Sequence, residues 1–260
     1  MVTIEEIKKR GQLSAKEHIE EERGNYPYVG YVLRKISPYF TKFFVEHNVS
    51  ANQISALSIL LGMVANVTFI FGDYYLMLLG CIIYNFWAIF DLVDGEIARV
   101  TNVKTAGGKY VETINEPITE CGLVLCLGIG LSKMLSNQAL IFWGAFFALS
   151  YALLSSFART RDMLTAQRFQ TQEENANVKE KSEIKKIYKR ARVVFLTGNA
   201  YLILIGIIII ELLSQFSFQF FGQNNILSVY FFAYGLIWVV RMVISSATNY
   251  VQLHMKDVNK

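Results

Sequence analysis

Apolar residues in this chain fall into long blocks separated by polar connections, and the length of the blocks is more informative than their periodicity. Six blocks approach the roughly 20 residues that a helix needs to cross a bilayer. They cover residues 54 to 71, 74 to 90 with a continuation through 99, 117 to 131, 138 to 157, 193 to 213 and 226 to 247. The pattern predicts an all-α integral membrane protein with six transmembrane helices. Between Val29 and His47, apolar residues (Val32, Leu33, Ile36, Tyr39, Phe40, Phe43, Phe44) mix with Arg34, Lys35 and Lys42, the signature of an amphipathic helix lying in the interface. Residues 1 to 28 are rich in charge and predict a loose surface helix. Residues 165 to 192 form a charged insert longer than a simple connection, read as a solvated run. The expected division is an N-terminal region over 1–50, a six-helix transmembrane domain over 51–250 carrying that insert, and a tail over 251–260.

Composition agrees: 53% of the 260 residues are hydrophobic, and the mean hydropathy is +0.33. The first 50 residues are charged and lack a leading apolar core, so no cleavable signal peptide is expected. Lys and Arg accumulate in cytoplasmic loops. Of the 25 here, eight lie in the first 50 residues, three between 99 and 111 and ten between 159 and 192, against Lys133 on the other side. Both termini are therefore expected in the cytoplasm. The net charge of +4 suits anionic headgroups, and no nucleic-acid-reading fold is suggested. Cys81, Cys121 and Cys126 lie inside apolar spans without metal-ligand or disulfide spacing and read as core residues. His18, His47 and His254 are scattered and form no ligand set.

The chemistry lies in acids at the span ends. Asp91 and Asp94 close the second block, and Glu112 and Glu116 open the third. On helices, Asp91, Asp94, Gly95 and Ala98 share one stripe, and Gly108, Glu112 and Glu116 another. Four carboxylates facing one another repel unless cations sit among them, and Mg²⁺ or Mn²⁺ prefers such oxygens. Counted from Tyr74, Asp91 lies about 25 Å along a helix rising 1.5 Å per residue, just inside the cytoplasmic boundary of a core roughly 30 Å thick. Two ions at such a site can clamp a pyrophosphate and neutralise a transferring phosphoryl group. The small residues Gly95 and Ala98 leave room there for a flat ligand.

Residues 91 to 116 read Asp-x2-Asp-Gly-x2-Ala-Arg-x8-Gly-x3-Glu-x3-Glu. This resembles the signature of the CDP-alcohol phosphatidyltransferase family, in which Asp is usual at the last two acidic positions. The upstream run Asn48 to Ser55 is similar to that family's Pro-Asn-x-x-Thr entry to the first span, with Ala51 in place of Pro and Ser55 in place of Thr. The resemblance implies a six-helix catalytic membrane domain in phospholipid biosynthesis. It would transfer a phosphatidyl or phospho-alcohol group from a CDP-linked donor, CDP-diacylglycerol being the commoner, to a hydroxyl, with release of CMP. It implies Asp91, Asp94 and Glu112 as ligands of two Mg²⁺ or Mn²⁺ ions, and Glu116 as general base and further ligand. Cytidine nucleotide contacts are implied at Gly95, Ala98, Arg99, Gly108, Asn52 and Ser55, and a homodimer is suggested.

Arg241 falls near the depth of the acids and is expected either to pair with them or to receive a polar acceptor alcohol. Arg159, with Arg161, Arg168, Arg190 and Arg192, is explained by positive-inside anchoring, with a subset of them as a possible acceptor-binding set. Thr197, Gly198 and Asn199 read as a close-packing site and Glu211 as interfacial. Two other classes compete: a small cation transporter, which asks for acids at several depths, and a catalytically silent nucleotide and metal binder. Compactness points to a bacterial or archaeal plasma membrane.

Overall fold

The computed structural model describes residues 3–12, 28–103, 105–172, 204–210 and 226–258. Their secondary structure is helical throughout, without strands. Helix α1 (Ile4–Glu6) runs on as a π-helical turn (Ile7–Gln12), and a second such turn (Val29–Leu33) leads into α2 (Arg34–Glu46). The long helices follow: α3 (Ala51–Phe69), α4 (Tyr74–Val100), α5 (Ala106–Met134) and α6 (Ala139–Gln172), then a helical segment at 204–210 called α7, and α8 (Ile226–Val258).

Five stretches are long and apolar enough to cross a membrane: Ala51–Phe69, Tyr74–Val100, Ala106–Met134, Ala139–Arg161 and Ile226–Ala247. They correspond to five of the six expected spans. The other, 193 to 213, lies outside the described residues except for α7, as do Thr197, Gly198, Asn199 and Glu211. The insert expected from residue 165 begins inside α6, which continues to Gln172, and the rest of it lies outside the described residues.

Local chemistry sets the helix starts. Ser50 and Gln53 form a reciprocal capping box at α3, Asp73 caps α4 through the Leu76 amide at 3.0 Å, and Thr105 caps α5 through the Gly108 amide at 3.0 Å. The third span therefore begins at Ala106, well ahead of its apolar block. The acids at 112 and 116 lie within the helix, in keeping with the stripe they share with Gly108. Gly72 joins α3 to α4 with φ of +70°, where a side chain would also meet the Gly130 carbonyl.

In space α3 packs between α4 and α5, and α6 between α5 and α8. The α5–α6 contact is backbone to backbone: a Cβ on Gly128 would lie 3.0 Å from the Gly144 Cα. The interior is a continuous apolar cluster that includes Phe69, Met77, Tyr84, Leu127, Phe147, Phe231 and Tyr234. Large apolar side chains also cover the outside, among them Leu60, Phe71, Leu79, Val229 and Phe142, the last 76% exposed. Water would penalise such a surface and lipid does not, which fits a multi-pass membrane protein.

The N-terminal elements are docked on α4. Phe40 and Phe44 pack edge-on against Phe90, while Tyr31, Val32, Ile36, Tyr39 and Phe43 remain exposed. Residues 3–12 do not lie loose on the surface: Ile7 is wholly buried and Gly11 packs against Glu96 and Val100. The anchor is Glu96, 0% exposed. It accepts from Gln12 Nε2 at 2.8 Å, Ser37 Oγ at 2.7 Å and Thr41 Oγ1 at 2.6 Å, and pairs with Arg34 at 3.5 Å. A buried carboxylate needs this many partners to offset its lost hydration.

Candidate nucleotide and metal site

The motif stripe of α4 faces α3 and α5 near their motif ends. Asp94 is buried and accepts from Ser55 Oγ at 2.5 Å. Ser55, expected as a nucleotide contact, thus faces Asp94. Its hydroxyl is also 3.1 Å from the Ala51 carbonyl, four residues back, as a serine inside a helix tends to be. Asp91 is exposed, and its Oδ1 accepts from Asn115 Nδ2 of α5 at 2.9 Å. Ala98 and Gly95 are half-buried on the same stripe. The Arg99 guanidinium folds back over Gly95, where a Cβ would meet Nη1 at 3.0 Å. Its Nε donates to the Gly11 carbonyl at 2.6 Å, so the docked N-terminal segment helps hold this arginine over the stripe.

The second wall joins α3 to the start of α5. Asn52 Nδ2 lies 3.3 Å from Thr105 Oγ1, and a Cβ on Gly108 would sit 2.6 Å from Asn52 Oδ1. Only glycine at 108 admits Asn52 so closely. From Gly108, residues 112 and 116 follow one and two turns along α5 on the same face. The side chains of Glu112 and Glu116 lie outside the described residues.

Arg159 of α6 does not belong to a described anion pocket. It donates to the Thr113 carbonyl between the two glutamates. Arg241 stacks on the Trp238 ring with its guanidinium carbon 4.6 Å from the centroid, and no ion pair joins it to an acid among the described residues. Arg168, Arg190 and Arg192 carry no described side chains.

Sequence reasoning missed Asn115, Trp87, Glu96 and Glu120. Asn115 links Asp91 to Trp87 and Ser58. Glu120, one turn beyond Glu116, is buried and accepts from Tyr234 of α8 at 2.7 Å. The signal available for Glu96 and Glu120 was an acid inside an apolar helix, which by itself asks for a partner. For Asn115 there was none beyond a polar residue on the helix.

Among the described residues no three His, Cys, Asp or Glu side chains converge on one point. Carboxylate oxygens suit a hard divalent cation: Asp91 and Asp94 share one stripe of α4, and the sequence of α5 carries Glu112 and Glu116.

A family model described as CDP-alcohol phosphatidyltransferase matches residues 48–240, the stretch from just before α3 into α8. No curated protein matches the chain.

Proposed function

Because the chain belongs to the CDP-alcohol phosphatidyltransferase family, a family of membrane transferases of phospholipid synthesis, we propose that it moves a phosphatidyl group from CDP-diacylglycerol to a small alcohol or alcohol phosphate, releasing CMP. The observation that carries this reading is the meeting of α3, α4 and α5 at the motif end. There Ser55 holds Asp94, Asn115 holds Asp91, and Asn52 closes on Gly108.

In this reading Asp91, Asp94 and Glu112 hold two Mg²⁺ or Mn²⁺ ions, and Glu116 takes the proton of the attacking hydroxyl. Bound divalent ions supply charge neutralisation on the pyrophosphate. Gly95 and Ala98 leave room for the cytidine nucleotide, Asn52 and Gly108 border it, and Arg99 meets its phosphate. Arg241 and Arg159 are the candidates for the acceptor, Arg159 keeping further N–H donors beyond the one it gives to Thr113. The site opens to the cytoplasm, with α2 lying at the membrane interface over the exposed Tyr31, Tyr39 and Phe43.

The test is to incubate purified protein with CDP-diacylglycerol, Mg²⁺ or Mn²⁺ and a panel of alcohols and alcohol phosphates, then to identify products by mass spectrometry. A phospholipid product with equimolar CMP is expected. Absence of both, with either metal and with CDP-alcohol donors also tried, sinks the enzyme reading and leaves a silent nucleotide binder.

A further inference from the structure

Asn115 is 1% exposed and sits where three helices meet. Its Nδ2 donates to Asp91 Oδ1 of α4 at 2.9 Å and to Ser58 Oγ of α3 at 3.0 Å, while its Oδ1 accepts from Trp87 Nε1 of α4 at 3.0 Å. An indole N–H only donates, so the carbonyl of the amide has to face Trp87. That leaves both amide hydrogens for Ser58 and Asp91, and the side chain has a single satisfied orientation. Trp87 and Asp91 are four residues apart on one face of α4, so one amide grips both. Asn115 also stands within the turn of α5 that runs from Glu112 to Glu116.

We propose that Asn115 is the positioning residue for Asp91. It fixes the rotamer of that carboxylate and the rotation of α5 against α4, so that the acids of the two helices face a shared divalent ion. The inference rests on the reading of Asp91 as a metal ligand and assigns the residue that orients it. Donors that orient metal-bound carboxylates and imidazoles typically change metal affinity 10- to 100-fold when removed. The indole in turn orients the amide: without its N–H, the carbonyl of Asn115 keeps only the longer contact from Thr119 Oγ1 at 3.5 Å and turns more readily toward Asp91, which it repels.

The experiment measures Mn²⁺ binding to the purified full chain in the presence of CMP, by the paramagnetic resonance signal of free Mn²⁺. Thermal unfolding is followed alongside. Asn115→Ala is expected to weaken Mn²⁺ about 10- to 100-fold and to add nothing in the Asp91→Asn background. Trp87→Phe is expected to weaken binding in the same direction by less. Affinity within about twofold of wild type for Asn115→Ala, or losses that add fully to those of Asp91→Asn, would overturn the proposal. Should Asn115→Ala fail to fold, unchanged Mn²⁺ affinity in Trp87→Phe overturns it instead. If Asp91→Asn itself leaves Mn²⁺ binding intact, the metal reading fails first and takes this inference with it.

Discussion

Arg159 donates to the backbone carbonyl of Thr113, the acceptor that Pro117, four residues on, leaves without its helical N–H donor. The same arrangement recurs at the N-terminus. Pro38 of α2 strands the carbonyl of Arg34, and Gln12 Nε2 fills it at 2.8 Å. Each proline opens a helix next to the motif, and a side chain from another element closes it. In α5 the opened turn lies between the two glutamates.

Arg159→Met should therefore destabilise the protein by about 1–2 kcal/mol, the cost of leaving such an acceptor unmade. In a Pro117→Ala background, where the helical bond is restored, the same change should cost clearly less. Unfolding of the four proteins in mixed micelles reads this cycle. Equal costs in both backgrounds would mean that Arg159 acts elsewhere.

Asp94→Asn keeps an oxygen to accept from Ser55 at the 2.5 Å contact and should leave the fold intact. Turnover, followed as CMP release, should fall by more than roughly 100-fold, beyond the range of residues that only support a metal ligand. Unchanged activity would refute the assignment of Asp94 to metal.

Gly108→Ala places a methyl group 2.6 Å from Asn52 Oδ1 and must displace that side chain. The expected result is a rise in KM for the CDP-linked donor of roughly tenfold, the size of one lost hydrogen bond, with the melting temperature little changed. A loss confined to stability would remove Asn52 from the nucleotide site.

Glu96→Ala leaves Ser37, Thr41 and Gln12 without their shared acceptor and Arg34 without its counter-charge. Breaking a buried pair in this way costs about 3–5 kcal/mol. Residues 3–12 should then become sensitive to limited proteolysis, whereas a protected N-terminus would show that Ile7 and Gly11 suffice to dock it.

Glu reaches farther than Asp by one methylene, and Mg²⁺ tolerates little departure from octahedral geometry. The paired change Glu112→Asp and Glu116→Asp is expected to shift the ratio of Mg²⁺- to Mn²⁺-supported CMP release toward Mg²⁺. An unaltered ratio would make the longer acids neutral to metal choice.

Much of this architecture was legible in the chain. Apolar blocks mark five described spans because a bilayer demands some 20 consecutive apolar residues whatever packs beside them. The stripe of Asp91, Asp94, Gly95 and Ala98 was legible for a similar reason, since helical periodicity alone aligns residues three, four and seven apart. The start of α5 at Ala106 was harder. A polar first turn carries no hydropathy, and only the Thr105 cap marks it.

What the sequence determined by itself, then, is what depends on neighbours along the chain: spans, caps, and the acids of one helix face. The tertiary structure decided the partners. Asn115 meets Asp91 across 24 positions, Arg159 meets Thr113 across 46 and Ser37 meets Glu96 across 59. No periodicity reports such pairings, because they arise only when packing brings residues far apart in the chain together, and a group buried there, such as Glu96 or Asn115, must find its partner within the protein.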